Sequence, residues 1–321
     1  MIRLDGSVLS GLAAALLLAG QAASPLARRP SSEADLRDWL RNMVWYHRYS
    51  TAEISAATGL SAGEVAAALK RLEIMPENKP KRAGDAPLLV LPYPGGRHPR
   101  IGFLEGAIDP QRDTKVSVFA PWDDSSYVVV DLPEAIWSNL GLTYLAHTHV
   151  PTIWTERGIS LEPVEWNRRG DGTLDHERRL PNGIAFGARV VPRRDHVAME
   201  LWLTNGTMEP LSGLRVQNCV MLKGAKGFAR QTNENKVFKS PYVACRSEDH
   251  EGRRWIITAW DHPQRAWGNA PCPCLHADPQ FPDCPPGETR RLKGWLSFYE
   301  GAVIDAELKR IDALGWHGDR P

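Results

Sequence analysis

From Leu88 to about residue 301 the chain is a succession of short apolar or alternating runs divided by turn residues. They read LLVLPYPGG, RIGFLEG, KVSVFAPW, SYVVVDLP, TYLAHTHV, IAFGARVVP, HVAMELWLTNG, LRVQNCVML, RWIITAW and LKGWLSFYEG. Runs of this length, recurring about every ten to fifteen residues between Gly, Pro and Asn, are strands rather than helices. A helical period returns only in AVIDAELKRIDAL near the C-terminus. The pattern predicts a mainly β body, a large antiparallel β-sandwich over 88–301, followed by a C-terminal helix and tail over 302–321. No internal repeat is evident. A chain of 321 residues can bury a real core.

The segment before this body differs in texture. MIRLDGS, the apolar run VLSGLAAALLLAG and the small residues of QAAS fit a secretory signal peptide over 1–22. The run is short for a membrane span, which needs roughly 20 residues. The expected location is therefore secreted or periplasmic. Residues 31–75 predict a small helical module: Ser31 or Ser32 caps one helix, Thr51 a second and Ser61 a third, with Gly59 breaking the chain between the last two. Helix, Gly turn, helix resembles a helix-turn-helix. Lys70 and Arg71 are its only cations on the third helix, and the net charge of +1 gives a polyanion little to bind. The module is read as packing on the main body or on a protein partner, with no nucleic acid. Residues 76–87 are a linker by composition.

Two stretches of the body resemble the galactose-mutarotase-like supersandwich family of sugar epimerases and of glycosidase and lyase domains. They are LTNGTMEPLSGLRVQNCVMLKG, 203–224, and LHADPQFPDCPPGETRRLKGWLSFYEG, 275–301, together about 50 residues in the family's order and spacing. The resemblance implies a supersandwich with a sugar-sized groove on one face. It also implies two departures. Gln217, with Asn218 beside it, stands where the epimerases carry a catalytic acid histidine, and a carboxamide cannot be a general acid near neutral pH. His276 and Asp278 stand where the family carries its catalytic glutamate, before Phe281-Pro282-Asp283.

Other candidates come from the residues themselves. NAPCPCLHADPQFPDC, 269–284, has three cysteines, but a single proline between Cys272 and Cys274 is poor zinc spacing. In an oxidising compartment, a disulfide from Cys284 to Cys272 or Cys274 would close a loop worth about 3 kcal/mol. That loop is expected to present His276 and Asp278 at the lip of the groove. Cys219, in an apolar run, reads as a buried small hydrophobe. His147 and His149 are two apart, so on a strand they share a face, as a proton carrier with a sugar anchor or as a metal pair. The metal is not the favoured use, and no cofactor is expected. Arg215 and Gln217 suit a carboxylate or a sugar diol. Among twelve tryptophans, most are expected in the core, Trp260 included. Trp267 is the best stacking platform, with Asn233, Asn235 and Asn269 on neighbouring polar stretches to take hydroxyls.

Walker, G-x-G-x-x-G turn and HExxH patterns are absent from the sequence, and the one G-x-S-x-G match, Gly59 to Gly63, falls in the helical module with Ser61 read as a helix cap. The expected function is an exported carbohydrate-active protein that binds a glycoside or uronide and acts as an epimerase, lyase or hydrolase. Asp278, His276, His147 and His149 would move protons, and Arg215, Gln217, Asn218, Asn233, Asn235, Trp267 and Asn269 would hold the ring. The alternatives are a carbohydrate-binding or scaffold protein without catalysis, and a cytoplasmic sugar-sensing DNA-binding regulator.

Overall fold

Strands fill the body as the alternation predicts. A computed structural model describes residues 27–101, 112–147 and 149–318. The expected signal segment 1–22 and most of the run RIGFLEG lie outside the described residues. Among the described residues, fifteen strands form two antiparallel sheets. The first contains β1 (Val90–Pro92), β2 (Lys115–Phe119), β3 (Tyr127–Ser138), β4 (Gly141–Leu145), β9 (Val216–Met221), β13 (Pro263–Gly268) and β14 (Cys274–Pro279), in the order β1-β2-β3-β9-β14-β13 with β4 on β3. The second contains β5 (Asn167–Arg168), β6 (Leu174–Arg179), β7 (Ala185–Pro192), β8 (His196–Thr204), β10 (Lys236–Lys239), β11 (Tyr242–Arg246), β12 (Arg254–Trp260) and β15 (Thr289–Glu300), in the order β10-β11-β12-β15-β8-β7-β6-β5.

Side chains alternate between the faces of each sheet. Val116, Val118, Val128, Val130, Val216, Val220 and Leu275 point inward and meet Phe186, Val190, Leu201, Ile256 and Leu296 of the second sheet. Trp260 is in this core, as expected. Its indole lies over Gly294, where any Cβ would collide with the ring. The outer face of the second sheet is covered by α4 (Ile304–Ala313), through Leu308 and Ile311 against Trp255 and Trp295.

The helical module holds α1 (Glu33–Arg41), a π-helical turn (Asn42–Tyr46), α2 (Thr51–Thr58) and α3 (Ala62–Arg71). Ser32 and Ser61 cap α1 and α3 as expected. The cap of α2 is Ser50 rather than Thr51, because Glu53 three residues on completes a capping box with it. The module has its own core around Leu40, Met43, Ile54 and Val65. It docks on the outer face of the first sheet. Asn42 Nδ2 donates to Pro92 O at 2.8 Å, and His47 Nε2 lies 2.7 Å from Ser117 Oγ within a ring of Tyr93, Phe119 and Tyr127. Arg97 grips Glu53 through two nitrogens, at 2.5 and 3.0 Å. Residues 76–87 also pack, with Lys79 Nζ 2.5 Å from an Asp124 carboxylate oxygen. The described sheet is therefore a partner for the module within the chain.

Candidate functional site

The outer face of the first sheet is apolar under the module and charged beside it. Lys115 pairs with Asp131 across β2 and β3, Asp131 with Cys219 across β3 and β9, and His276 with Trp267 across β14 and β13. These residues face outward because their neighbours Val116, Val130, Val220 and Leu275 face the core. On β3 the register shifts between Asp131 and Ala135. Such a bulge re-aims a side chain, and here Glu134 is turned onto the same outer face, where Gln217 Nε2 donates to its Oε2 at 2.9 Å.

Around Glu134 the charges interlock. Lys115 Nζ is 2.9 Å from Asp131 Oδ1, which also accepts from Thr114 Oγ1 at 2.9 Å. His147 Nε2 stands between Asp131 Oδ2 at 3.5 Å and Glu134 Oε1 at 3.4 Å, with no hydrogen bond to either. Arg100 pairs with Glu134. His276 Nδ1 is 3.8 Å from both Glu134 Oε2 and Asp278 Oδ1. Asp278 Oδ2 accepts from Trp267 Nε1 at 2.6 Å and from Arg265 at 2.8 Å, and Oδ1 accepts from the Asn218 amide at 3.2 Å. Lys115, Asp131, Glu134, His147, His276 and Asp278 are all buried.

Burial raises the carboxyl of Glu134, but Arg100, His147 and His276 outweigh it and hold the group well below the usual carboxylate range. Burial likewise raises Asp131, and Lys115 with His147 reverses the sign. Burial lowers the Lys115 ammonium, against the pull of Asp131. At the rim, burial together with the neighbouring His147 and Arg100 lowers the His149 imidazole. Buried charges in this number persist only when paired, and the pairing here is nearly complete. The exceptions are both ring nitrogens of His147, Asp131 Oδ2 and His276 Nδ1, which make no hydrogen bond among the described residues.

The cluster opens on one side into a groove. Trp137, Arg215, Val216, Gln217, Gln264, Arg265 and Asp278 line a cavity of about 280 Å³. Arg215 lies over the Trp137 ring, 5.7 Å from its centroid. The groove thus has an indole wall, two exposed guanidinium groups at its mouth and a carboxylate in its floor.

Of the residues expected from the sequence, His147, Gln217, His276 and Asp278 meet in this cluster, and Arg215 lines the groove. Others are placed differently. β4 ends at Leu145, so His147 and His149 do not share a strand face; the first is buried and the second exposed, with ring centroids 6.0 Å apart. Asn218 points into the sandwich interior by strand alternation, and its side-chain amide is buried without a partner. Asn233 donates to Gly268 O at 3.0 Å and Asn269 follows β13, both at the end of that strand away from Arg265. Asn235 precedes β10 in the other sheet and reaches Arg246 O at 3.4 Å. Trp267 is no open platform: His276 stacks on it at 4.0 Å and 12°, and Arg265 lies 4.5 Å from its centroid. All five cysteines are free and buried, so no disulfide closes 269–284. That stretch contains β14 instead of a loop, which puts Cys274 in the sheet and Cys272 in the bend before it, while Cys284 Sγ bonds Glu288 O at 3.2 Å.

Asp131, Glu134, Lys115, Arg100 and Arg265 were not singled out in the sequence. Their signal was available in part: Lys115, Asp131 and Glu134 interrupt strongly apolar strands, where a charge is almost never buried unless paired.

Fold and site together define a class, a two-sheet antiparallel sandwich with a charged cluster and groove on one outer face. No protein-family model matches the chain, and no curated protein matches it. Solved structures similar to it include a mutant of the heparan sulfate lyase HepC from Pedobacter heparinus, with 8% identity and a TM-score of 0.34 over 60% of this chain. Slr1438 from Synechocystis has 10% identity and a TM-score of 0.32 over 58% of this chain. YeaD from Salmonella typhimurium, assigned as a mutarotase, has 11% identity and a TM-score of 0.31 over 58%. The chain spans 36% of the lyase, and 88% and 90% of the two smaller proteins. These are distant similarities of fold; the sandwich itself stands on the two sheets described above.

Proposed function

We propose that the protein binds a glycoside or uronide in the groove beside Glu134 and transforms it by acid/base chemistry. The observation that carries this reading is the groove of Trp137, Arg215, Gln217 and Arg265, whose floor is Asp278 and whose Gln217 side chain bonds Glu134 behind it. An indole face covers the apolar side of a sugar ring. Guanidinium forks bind a carboxylate with two parallel hydrogen bonds, so the pair Arg215 and Arg265 favours a uronide over a neutral sugar. Asp278 is the proposed base, because its carboxylate reaches the groove while its other contacts fix its orientation. His147, beside Glu134 and Asp131, is the proposed second proton carrier, with His149 at the rim. His276 bridges the two carboxylates. Gln217 cannot carry a proton; its part is to orient Glu134. Export through residues 1–22 belongs to the same proposal, and cell fractionation with N-terminal sequencing tests it. The catalytic reading is tested by incubating the full chain with a panel of uronides and neutral glycosides and analysing products by mass spectrometry.

One observation favours a second reading. The charges of the cluster are almost fully neutralised within the chain, and Gln217 ties up Glu134. A binding protein without turnover would need no more than this, and saturable binding with unchanged ligand identifies it.

A further inference from the structure

Two thiols beside the charged cluster have no part in the chemistry above. Cys219 on β9 and Cys274 on β14 lie with His276 in one buried group, in which one ligand atom from each residue falls within 4.8 Å of the others. Cys274 Sγ is 3.2 Å from His276 Nε2. All three come from adjacent central strands of the first sheet. We propose that Cys219, Cys274 and His276 bind a zinc ion.

The donor set selects the metal. Thiolates and imidazole are soft or borderline ligands that suit zinc, whereas calcium and magnesium require oxygen. The charge balance fits burial. Two thiolates neutralise a divalent cation, so the loaded site adds no net charge to the sheet, and an uncompensated buried ion is what the interior cannot hold. The spacing fits as well. Zinc stands about 2.3 Å from sulfur and about 2.0 Å from nitrogen, which places tetrahedral sulfur and nitrogen ligands about 3.5 Å apart. The Cys274–His276 separation is already close to this.

The orientation of His276 is a separate observation. Its Nε2 faces sulfur while its Nδ1 faces Glu134 and Asp278, at 3.8 Å from each. Carboxylate, imidazole and metal in that order is how ligating histidines are fixed. The Trp267 ring stacked on the imidazole at 4.0 Å holds it in that plane. Three protein ligands leave one position of a tetrahedral ion for a small exogenous ligand. In this arrangement His276 is an anchor that links the zinc to the carboxylates, not a proton shuttle. The inference stands independently of the carbohydrate reading, because its test needs no sugar.

The experiment is cobalt substitution of the full chain, purified reduced and under anaerobic conditions, with elemental analysis of the protein as isolated. The expected result is about one zinc per chain, exchangeable for cobalt with tetrahedral ligand-field bands and a thiolate-to-cobalt charge-transfer band. Cys219→Ser and His276→Ala should each weaken zinc binding more than about 100-fold, beyond what loss of an outer partner costs. Cys272→Ser and Cys284→Ser should leave the spectrum unchanged. The wild-type spectrum decides the matter even if a variant does not fold. Folded, reduced protein that takes up no cobalt, or shows no thiolate band, overturns the proposal. So does a Cys219–Cys274 disulfide in the freshly isolated chain, or a spectrum that Cys272→Ser abolishes.

Discussion

Gln217 Nε2 donates a 2.9 Å hydrogen bond to Glu134 Oε2, joining β9 to the bulged part of β3. The bond is possible because the register shift after Asp131 turns Glu134 onto the outer face. It holds a carboxylate that Arg100 and two histidines also surround.

Removing that donor leaves a buried carboxylate short of a partner. Gln217→Ala is expected to cost about 1.5–3 kcal/mol, the range for hydrogen bonds to charged groups. Urea unfolding at neutral pH measures it. Gln217→Glu should cost more, since it sets a second carboxylate against Glu134.

The Lys115–Asp131 pair is fully buried, at 0% side-chain exposure on both sides. Breaking a buried pair from one side costs about 3–5 kcal/mol, whereas replacing both partners with apolar residues is often neutral. Lys115→Met should therefore destabilise strongly, and Lys115→Met with Asp131→Leu should regain most of the loss. Failure of the double variant to regain stability would show that Asp131 is held chiefly by Thr114 and His147.

Gly96 of the body lies against α2 of the module. It has φ of +74°, and a Cβ there would strike the backbone of Glu53 and the side chain of Ala57. Gly96→Val is expected to cost at least 1–3 kcal/mol through strain and to loosen α2 from the sheet. Limited proteolysis within 50–75 should become faster, while the sandwich keeps its far-ultraviolet β signal.

Two buried histidines make stability depend on pH. Burial lowers His47 from 6.5 to about 3, against a weak pull upward from the Asn42 carbonyl, and lowers His176 from 6.5 to about 4. Both are neutral in the folded protein. As pH falls below 6.5 the unfolded chain takes up protons that the folded chain does not, so stability is lost as pH falls towards 3–4. The loss is on the order of a few kcal/mol per residue. Thermal unfolding from pH 7 to pH 4 should show the decline, and His47→Gln should flatten it.

The β body, the helical module and the C-terminal helix were legible because they rest on periodicity: β8 alternates along its whole length, and Ser61 with Glu64 spells a capping box. The strands β13 and β14 were not. Their outward positions carry Arg265, Trp267, His276 and Asp278, and prolines flank or interrupt them, so local composition reads as loop. Only the pairing of β14 with β9, and of β13 with β14, makes them strands. Gln217, His276 and Asp278 could be picked out by residue type. Glu134 could not be placed, because strict alternation along β3 would send it inward and only the bulge reverses that. Trp267 looked like an open platform since a sequence cannot reveal that His276 stacks on it.

The central claim is that the groove converts a sugar acid through Asp278. Asp278→Asn keeps the shape, and its carboxamide still accepts from Arg265 and Trp267, but it removes the base. The most direct measurement is product formation from a uronide panel by wild-type and Asp278→Asn protein, with binding followed in parallel. The account predicts a converted uronide, a loss of turnover of at least about 100-fold in the variant, and binding retained within a few-fold. Turnover unchanged by Asp278→Asn, or no uronide bound by the wild-type chain, would contradict it.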